Sequence, residues 1–407
     1  MKAVILNSSF VSKRRDYVQI TGPHLRIGVA SVAAVARAAG ADITVFDPLA
    51  YEATLEETAR YIVDLQPQYL GLPAYTEEIN DAALIAERVK EMSPQMIVIV
   101  GGPHATALPA RTLDEFKVFD YVVVGEGEMS FTDIISGRAP AKIPGIAYRE
   151  PDGSVIVNGA PSHVDLDTLP LPAWDLYDLS RYAFVPIDTI RGCPYSCVFC
   201  HRATGSAVRY KNPHKIVDDI EAIKKKNPDA RFALVGGGSF PLRRDHAVAV
   251  CQEIIGRGLT VPWVTATRVD LVDEELLSLM KESGCYDIAL GIESGDPAIL
   301  AGCGKRTTPE LAEQALMMCK KIGIGTELNF ILGLPGETKE SLLKTRDFAL
   351  RMEAYAERIN FAILVPFPGT AIYEMALKRQ GGISIATNDW TKYAKQGGLA
   401  ITHENFK

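Results

Sequence analysis

The sequence lacks the features of a membrane-embedded, exported or nucleic-acid-wrapping protein. No stretch of about 18 residues is free of polar interruption, so no transmembrane helix is predicted. The apolar run at residues 3–6 is too short for a signal peptide and is predicted to be a buried strand. A formal net charge of −7 over 407 residues argues against a surface that wraps nucleic acid, and we expect no nucleic-acid partner.

Cysteine is scarce, and its distribution excludes a disulfide framework. Four of the seven cysteines are scattered at or near helical patterns: Cys251, Cys285, Cys303 and Cys319. This usage is typical of a reducing compartment, so we predict a cytoplasmic protein. The other three, Cys193, Cys197 and Cys200, are packed into eight residues.

The three-cysteine loop follows a predicted strand at residues 184–190, and α/β folds place their chemistry at such strand ends. Cysteines without a ligand are one interpretation. A structural zinc site needs a fourth ligand, and His201 adjoins Cys200 too closely to share one tetrahedron with it. A c-type haem pattern, C-x-x-C-H, begins at Cys197, but it leaves Cys193 idle and requires export. The remaining interpretation is a four-iron cluster held by three thiolates, with one iron open to a ligand.

Residues 1–137 alternate between apolar runs of strand length and helical patterns. Strands are predicted at residues 3–6, 42–46, 69–72, 96–100 and 121–124, with helices at 28–39, 55–65 and 77–92. This order predicts a doubly wound, Rossmann-like parallel sheet with ligand space at the carboxyl ends of its strands. Glycine-rich loops at residues 71–76, 101–106 and 125–128 follow three of those ends. Ligand binding and ordinary turns are equally open interpretations of these loops.

The rest of the chain divides into a linker, a second α/β domain and a tail. Residues 138–184 are punctuated by proline and contain a predicted hairpin turn at 151–154. Residues 185–373 carry six predicted strands that alternate with helices, which predicts a partial (βα)6, TIM-like barrel. Right-handed crossovers put all six carboxyl ends on one face, so the loops there converge over the cysteine loop. Residues 374–407 are interpreted as a short polar C-terminal tail that could act as a lid.

Two groups of residues resemble a known family. The pattern C-x-x-x-C-x-x-C, with Phe199 before the last cysteine, resembles the signature of the radical S-adenosylmethionine (SAM) superfamily. The sequences Gly-Gly-Pro-His at 101–104 and Gly-Glu-Gly-Glu at 125–128 resemble the cobalamin-binding (B12-binding) domain of the cobalamin-dependent radical SAM enzymes. The resemblance covers residues 1 to about 373.

The resemblance implies three cofactors: a 4Fe-4S cluster on Cys193, Cys197 and Cys200, SAM on its open iron, and cobalamin in residues 1–137. The first loop, residues 8–27, departs from many cobalamin proteins because it lacks the D-x-H-x-x-G pattern. We therefore expect cobalamin without a histidine ligand, and a domain that has lost cobalamin is the alternative. The cobalamin contacts that the resemblance implies are Leu72, Pro73, Tyr75, Gly101, Gly102, Pro103, His104, Gly125, Glu126 and Gly127.

The resemblance also implies SAM contacts at the ends of the barrel strands. Arg268 matches the SAM carboxylate in two bonds, or else forms a surface ion pair with Asp270. Glu293 ends a hydrophobic strand, where a carboxylate is costly unless it accepts hydrogen bonds, and the SAM ribose or amino group would supply them. The remaining implied contacts are Phe199, the backbone of Gly236, Gly237 and Gly238, and Leu332 beside the adenine.

The function that the resemblance implies is radical chemistry. Cleavage of SAM yields a 5′-deoxyadenosyl radical that takes a hydrogen atom from an unactivated carbon, and the commonest family outcome is methylation through cobalamin. We therefore predict a C-methyltransferase acting on a small molecule or natural product, with an external electron donor of the flavodoxin or ferredoxin type. One alternative is a non-methylating radical enzyme that catalyses cyclisation, ring contraction or oxidation, with cobalamin auxiliary or absent. A non-enzymatic sensor or electron carrier is the other, and the complete set of six strands argues against it.

Overall fold

The computed structural model describes residues 1–9, 22–159, 161, 163–395 and 398–406. The chain forms two compact units, Met1–Ala183 and Phe184–Lys407. This division lies one residue from the predicted end of the linker. None of the helices in the described part of the chain has the length and hydrophobicity that crossing a bilayer requires.

The first unit contains a seven-stranded sheet in the order β2-β1-β3-β4-β5-β6-β7. Its strands are β1 (Lys2–Leu6), β2 (Asp42–Phe46), β3 (Tyr69–Pro73), β4 (Ile97–Gly101), β5 (Tyr121–Val123), β6 (Ile146–Arg149) and β7 (Val155–Val157). The first five are parallel, which confirms the predicted doubly wound sheet. β6 and β7 add to it as an antiparallel hairpin, so this part of the predicted linker belongs to the sheet. Its residues Ile146, Ala147 and Tyr148 are buried, and a buried backbone needs the pairing that a sheet provides.

Helices connect the strands of the first unit. They are α1 (Ile27–Ala38), α2 (Leu55–Asp64), α3 (Ile79–Met92), α4 (Pro103–Ala107), α5 (Pro109–Glu115) and α6 (Glu128–Ile135). The start of α2 is set by a capping box, in which Thr54 Oγ1 accepts from the Glu57 backbone N–H at 3.2 Å. The Glu57 carboxylate accepts in return from the Thr54 backbone N–H at 2.8 Å. Small residues of α1, Ala33 and Ala34, let that helix pack closely in the core with Phe131 and Ile134 of α6.

The second unit contains another seven-stranded sheet, in the order β14-β13-β12-β11-β10-β8-β9. Its strands are β8 (Val185–Arg191), β9 (Arg209–Tyr210), β10 (Phe232–Gly236), β11 (Trp263–Arg268), β12 (Cys285–Glu293), β13 (Gly325–Leu332) and β14 (Arg358–Ile363). Its helices are α7 (Pro213–Lys226), α8 (Arg244–Gly256), α9 (Glu274–Glu282), α10 (Pro297–Gly302), α11 (Pro309–Ile322) and α12 (Lys339–Met352). Six strands are parallel and the short β9 is antiparallel, which confirms the predicted partial (βα)6 barrel.

The C-terminal segment is folded, unlike the expected polar tail. It contains α13 (Ala371–Leu377) and the antiparallel strands β15 (Ile383–Ile385) and β16 (Ile401–His403). Trp390 and Tyr393 are buried, and their ring centroids lie 5.0 Å apart. α13 also crosses the predicted boundary at residue 373, so the barrel and the segment after it share one helix. Amphipathic spacing is weak in this glycine- and lysine-rich stretch, which is why the sequence did not indicate these elements.

Candidate functional site

The cysteine loop begins where β8 ends, at a position that requires glycine. Gly192 has φ +86°, and a Cβ on it would lie 2.0 Å from the Ala207 carbonyl oxygen. The Gly192 N–H donates to Thr204 Oγ1 at 3.0 Å, and the Cys193 N–H donates to the Gly205 carbonyl at 3.2 Å. The start of the loop is therefore held against residues 204–207.

The three predicted cluster ligands lie near one another. Cys193 and Cys197 are half-buried, Cys200 is exposed, and none of the three is in a disulfide. Burial raises the pKa of the Cys200 thiol, and the neighbouring thiols of Cys193 and Cys197 raise that pKa further. Among the residues that the structure describes, no three histidine, cysteine or acidic side chains converge on a single ion. Three thiols that lie near one another on one loop are a donor set that suits a four-iron cluster, which is held by thiolates.

Residues from later in the chain hold the middle of the cysteine loop. The Val198 N–H donates to the Cys303 carbonyl at 3.1 Å, and the Val198 carbonyl accepts from the Ile372 N–H at 3.0 Å. Phe199 packs against an apolar cluster that includes Leu334. The other buried members of this cluster are Ile299, Cys303, Leu364, Ile372, Ala376 and Ile383. A contact between Phe199 and SAM stays a prediction.

The three glycines after β10 serve different purposes. A Cβ on Gly236 would lie 2.5 Å from the Ile190 carbonyl oxygen, and a Cβ on Gly237 would lie 1.9 Å from the Gly192 carbonyl oxygen. These two positions let β10 approach the start of the cysteine loop. Gly238 has φ +90° and open space around its Cβ position, so of the three it offers room for a ligand.

Arg268 lies at the end of β11 and is only 5% exposed. Its Nε and Nη2 donate to the Asp270 carboxylate at 2.8 and 2.9 Å, and Nη2 also donates to the Lys305 carbonyl at 2.6 Å. The expected ion pair with Asp270 is therefore present, with the Arg268 guanidinium buried and Asp270 at the surface. Asp270 occupies one edge of the guanidinium in this structure, and the contact expected between Arg268 and the SAM carboxylate stays a prediction.

Glu293 ends β12 and forms a buried ion pair. Its φ is +71°, an uncommon conformation for a residue with a side chain, and its Oε1 accepts from Lys305 Nζ at 2.8 Å. Glu293 is 8% exposed and Lys305 is 5% exposed. An ammonium carries three donors, so Lys305 retains donors beyond the one that Glu293 accepts. The sequence did not indicate Lys305 as a site residue, because a lysine between Gly304 and Arg306 is typical of a solvated loop.

The turn after Leu332, the last residue of β13, is fixed by a buried carboxylate. Glu337 accepts from the backbone N–H groups of Gly333 and Leu334, the latter at 3.2 Å. Glu337 is 0% exposed, and burial raises the pKa of its carboxyl group. The backbone of this turn therefore has one defined shape, whereas the contact expected between Leu332 and adenine stays a prediction.

In the first unit, the loops after β3 and β4 approach each other closely. Gly102 has φ +104°, and a Cβ there would lie 2.8 Å from the Ala74 carbonyl oxygen. The Ala74 N–H donates to the Gly101 carbonyl at 2.8 Å. Tyr75 is 48% exposed beside them, with its ring centroid 4.7 Å from the Arg26 guanidinium carbon. These loops present backbone and an exposed aromatic ring, which suits a large flat ligand.

A buried ion pair missed by the sequence analysis supports the Tyr75 loop. Glu78 is fully buried, and it accepts from Arg26 Nη1 at 2.8 Å and from Ser8 Oγ at 3.0 Å. It also accepts from the Tyr75 backbone N–H at 2.9 Å. Glu78 follows two polar residues, Thr76 and Glu77, and the sequence would place it on the exposed side of a helix. No local pattern therefore indicated that it is buried.

Several side chains predicted to contact cobalamin are buried in this structure, and their contacts with the cofactor stay predictions. His104 is 1% exposed, and burial together with Arg111 lowers its pKa to about 3. Leu72 is 2% exposed, so both of these side chains are buried. Glu126 is 8% exposed, and its carboxylate accepts from the Val164 N–H at 3.4 Å. The remaining predicted positions lie at or shortly after the ends of β3 to β5, where the backbone can contact a ligand. They are Pro73, Pro103, Gly125 and Gly127.

This architecture is similar to that of known proteins. The chain matches the model of the radical SAM superfamily over residues 187–349 and that of the B12-binding domain over residues 17–135. It is 30% identical to an uncharacterized methyltransferase of Pyrococcus horikoshii, over 97% of this chain and 86% of that protein. It is also 30% identical to the anaerobic magnesium-protoporphyrin IX monomethyl ester cyclase of Rubrivivax gelatinosus, over 90% of this chain and 68% of that protein.

Solved structures share the fold. The radical SAM methyltransferase TsrM from Kitasatospora setae, with cobalamin and a 4Fe-4S cluster bound, superposes with a TM-score of 0.78 at 20% identity. The match covers 97% of this chain and 82% of TsrM. The chain therefore belongs to the cobalamin-dependent radical SAM enzymes, whose cofactors are a 4Fe-4S cluster, SAM and cobalamin.

Proposed function

We propose that the protein is a cobalamin-dependent radical SAM C-methyltransferase that acts on an unactivated carbon of a small molecule or natural product. The observation that carries the proposal is the loop of Cys193, Cys197 and Cys200, held at the carboxyl end of β8 and preceded by a B12-binding unit. When bound, the cluster and SAM supply the means to remove a hydrogen atom from an unactivated carbon, and cobalamin carries a methyl group.

The residues of the second unit bind and orient the cluster and SAM in this proposal. Cys193, Cys197 and Cys200 hold three irons. Glu293 and Lys305 lie together at 2.8 Å, so they offer an acceptor for the amino group of SAM and donors for its carboxylate. The open position at Gly238 and the turn after Leu332 supply backbone contacts beside them, with Phe199 supporting the loop from its apolar side. Low exposure of the ion pair keeps water from competing for it.

The first unit binds cobalamin in this proposal. The backbone at Gly101, Gly102 and Pro103 and at Gly125 and Gly127 borders the cofactor, and Tyr75 lies against its flat face. His24, the histidine of the first loop, is exposed and outside any D-x-H-x-x-G pattern, so we propose that no histidine of this loop binds the cobalt.

A second candidate function is radical cyclisation without methyl transfer. It is favoured by the 30% identity with the Rubrivivax gelatinosus cyclase over most of this chain. The two functions differ in their products. A methyltransferase adds one methyl group per deoxyadenosine released, whereas a cyclase releases deoxyadenosine without any gain of methyl.

We further propose a reducing, cytoplasmic location and an external one-electron donor of the flavodoxin or ferredoxin type. All seven cysteines are free thiols, which suits a reducing compartment. The chain's net charge of −7 supports a small-molecule substrate in preference to nucleic acid.

Reconstitution without oxygen tests the proposal. The chain is supplied with iron, sulfide and cobalamin, and bound iron and cobalt are counted per chain with the absorption spectrum. We expect about four irons and one cobalamin. Cys200→Ala should reduce bound iron sharply, whereas Cys251→Ala, at a buried cysteine of α8, should not. Substrate candidates are then assayed with SAM carrying a labelled methyl group. Deoxyadenosine formation without label transfer supports the cyclase, and a cluster without cobalamin contradicts the two-cofactor proposal.

A further inference from the structure

A buried guanidinium lies beside the middle cysteine of the cluster loop. Nη1 of Arg268 is 3.8 Å from Sγ of Cys197, within reach of an N–H···S hydrogen bond. Arginine stays protonated in proteins, so a positive charge is fixed next to this sulfur.

Three other residues hold the guanidinium in this orientation. Asp270 accepts from Nε and Nη2 at 2.8 and 2.9 Å, and the Lys305 carbonyl accepts from Nη2 at 2.6 Å. The ring of Tyr195 lies 3.9 Å from Cζ of Arg268, on the face of the guanidinium. Because the fork is planar and rigid, these contacts also set where Nη1 points, which is toward Cys197.

We propose that Arg268 is a positioning residue of the cluster, which donates an N–H···S hydrogen bond to the Cys197 thiolate and raises the reduction potential of the bound cluster. Reduction adds one electron to the cluster. A nearby positive charge and a donor to sulfur therefore stabilise the reduced form, since cluster potentials respond to local charge and to hydrogen bonds on sulfur. The inference rests on the proposed cluster site and does not depend on methyl transfer. It gives Arg268 a role different from the expected contact with the SAM carboxylate.

The midpoint potential of the reconstituted holoprotein, measured by spectroelectrochemical titration without SAM, tests the inference. Arg268→Gln removes the charge and keeps a side chain of similar reach. We expect the equilibrium constant for one-electron reduction to fall about tenfold, which is a decrease of about 59 mV in midpoint potential. Arg268→Lys keeps the charge and should recover most of the difference.

Two further variants separate electrostatics from a loosened structure. Asp270→Asn disturbs the same ion pair but removes a negative charge, so the midpoint potential should rise. A general loosening of the loop would shift the midpoint potentials of Arg268→Gln and Asp270→Asn in the same direction. Arg358→Gln is the matched control, because Arg358 also pairs with two carboxylates, those of Glu327 at 3.0 Å and Asp287 at 2.8 Å. Its midpoint potential should equal that of the wild type.

The outcomes are distinct. A wild-type protein that assembles no four-iron cluster contradicts the proposed function. A wild-type cluster whose potential is unchanged by Arg268→Gln, or lowered by both Arg268→Gln and Asp270→Asn, overturns this inference and leaves the proposed function standing. If Arg268→Gln retains too little iron to titrate, the inference still requires a raised potential in Asp270→Asn and a near-normal one in Arg268→Lys.

Discussion

Replacing Gly192 by alanine should destabilise the cysteine loop by more than the cost of its left-handed backbone conformation alone. Gly192 has φ +86°, and its added Cβ would lie 2.0 Å from the Ala207 carbonyl oxygen. An L-residue in the left-handed region costs about 1–2 kcal/mol. The contact with Ala207 adds to this cost, because the backbone fixes the position of a Cβ and its neighbour is a backbone oxygen, so one of the two segments must move. The displaced segment includes Cys193, so cluster binding should fall along with stability.

Gly323→Ala is the matched control. Gly323 ends α11 with φ +79°, and a Cβ there would meet no atom within 4 Å. It therefore carries the conformational cost alone, about 1–2 kcal/mol, or roughly 2–8 °C in Tm for a domain of this size. We expect Gly192→Ala to lower Tm by more than this control and to lose more than half of the iron bound after reconstitution. Equal Tm losses with full iron binding in both variants would refute the reasoning that the loop is held at this contact.

Three other predictions concern buried charge and the exposed ring of the first unit. Lys305→Met leaves the Glu293 carboxylate buried without its partner, which should cost about 3–5 kcal/mol in urea unfolding, and combining it with Glu293→Gln should cost less than the single change. A double variant as unstable as Lys305→Met would show that the pair does not interact. Burial lowers the pKa of His104 from 6.5 to about 3, so the unfolded chain takes up a proton that the folded chain refuses. Stability should therefore fall as pH decreases from 6.5, by up to about 1.4 kcal/mol per pH unit, and His104→Leu should flatten this dependence in urea midpoints measured between pH 7 and 5. Tyr75→Ala should weaken cobalamin binding roughly tenfold, the equivalent of about 1.4 kcal/mol of lost ring contact, whereas Tyr61→Ala, on α2, should bind as the wild type in a cobalamin titration.

The fold was predictable where periodic sequence agrees with tertiary structure. The five parallel strands of the first sheet and the six of the second were predicted because each is a short apolar run between helical patterns. The helix that begins after Thr54 was predicted because a capping box is local. The hairpin at 146–157 was also recognised, but its membership of the first sheet was not, since pairing with β5 is a contact between segments that no local pattern joins.

The candidate site was predictable at the level of motifs and not of partners. The cysteine spacing and the carboxylate of Glu293 were visible in the sequence. The partner of Glu293 was not, because Lys305 reaches it from a separate loop whose composition is that of solvated surface. Only some of the residues that surround Arg268 were predicted from the sequence. Asp270 lies two residues away and was considered, whereas Tyr195 and Cys197 approach from the start of the domain.

The position of His104 illustrates a different kind of information that a sequence lacks. The contact of His104 with cobalamin stays a prediction, and in the structure α4 begins at Pro103 and the imidazole is buried. The direction in which a side chain leaves a short helix depends on where that helix starts. A sequence motif shows which residue is present but not the direction in which its side chain points.

The bond between Val198 and Ile372 has a consequence for the order of events during synthesis. The ribosome makes α13 and the strands that follow it after every strand of the second sheet has been made. Until then, Val198 and Phe199 lack the backbone partner and much of the apolar cover that residues 372–401 provide. Metal delivered before these residues are made would meet a cysteine loop without its final support, so stable iron insertion should follow the synthesis of α13, β15 and β16.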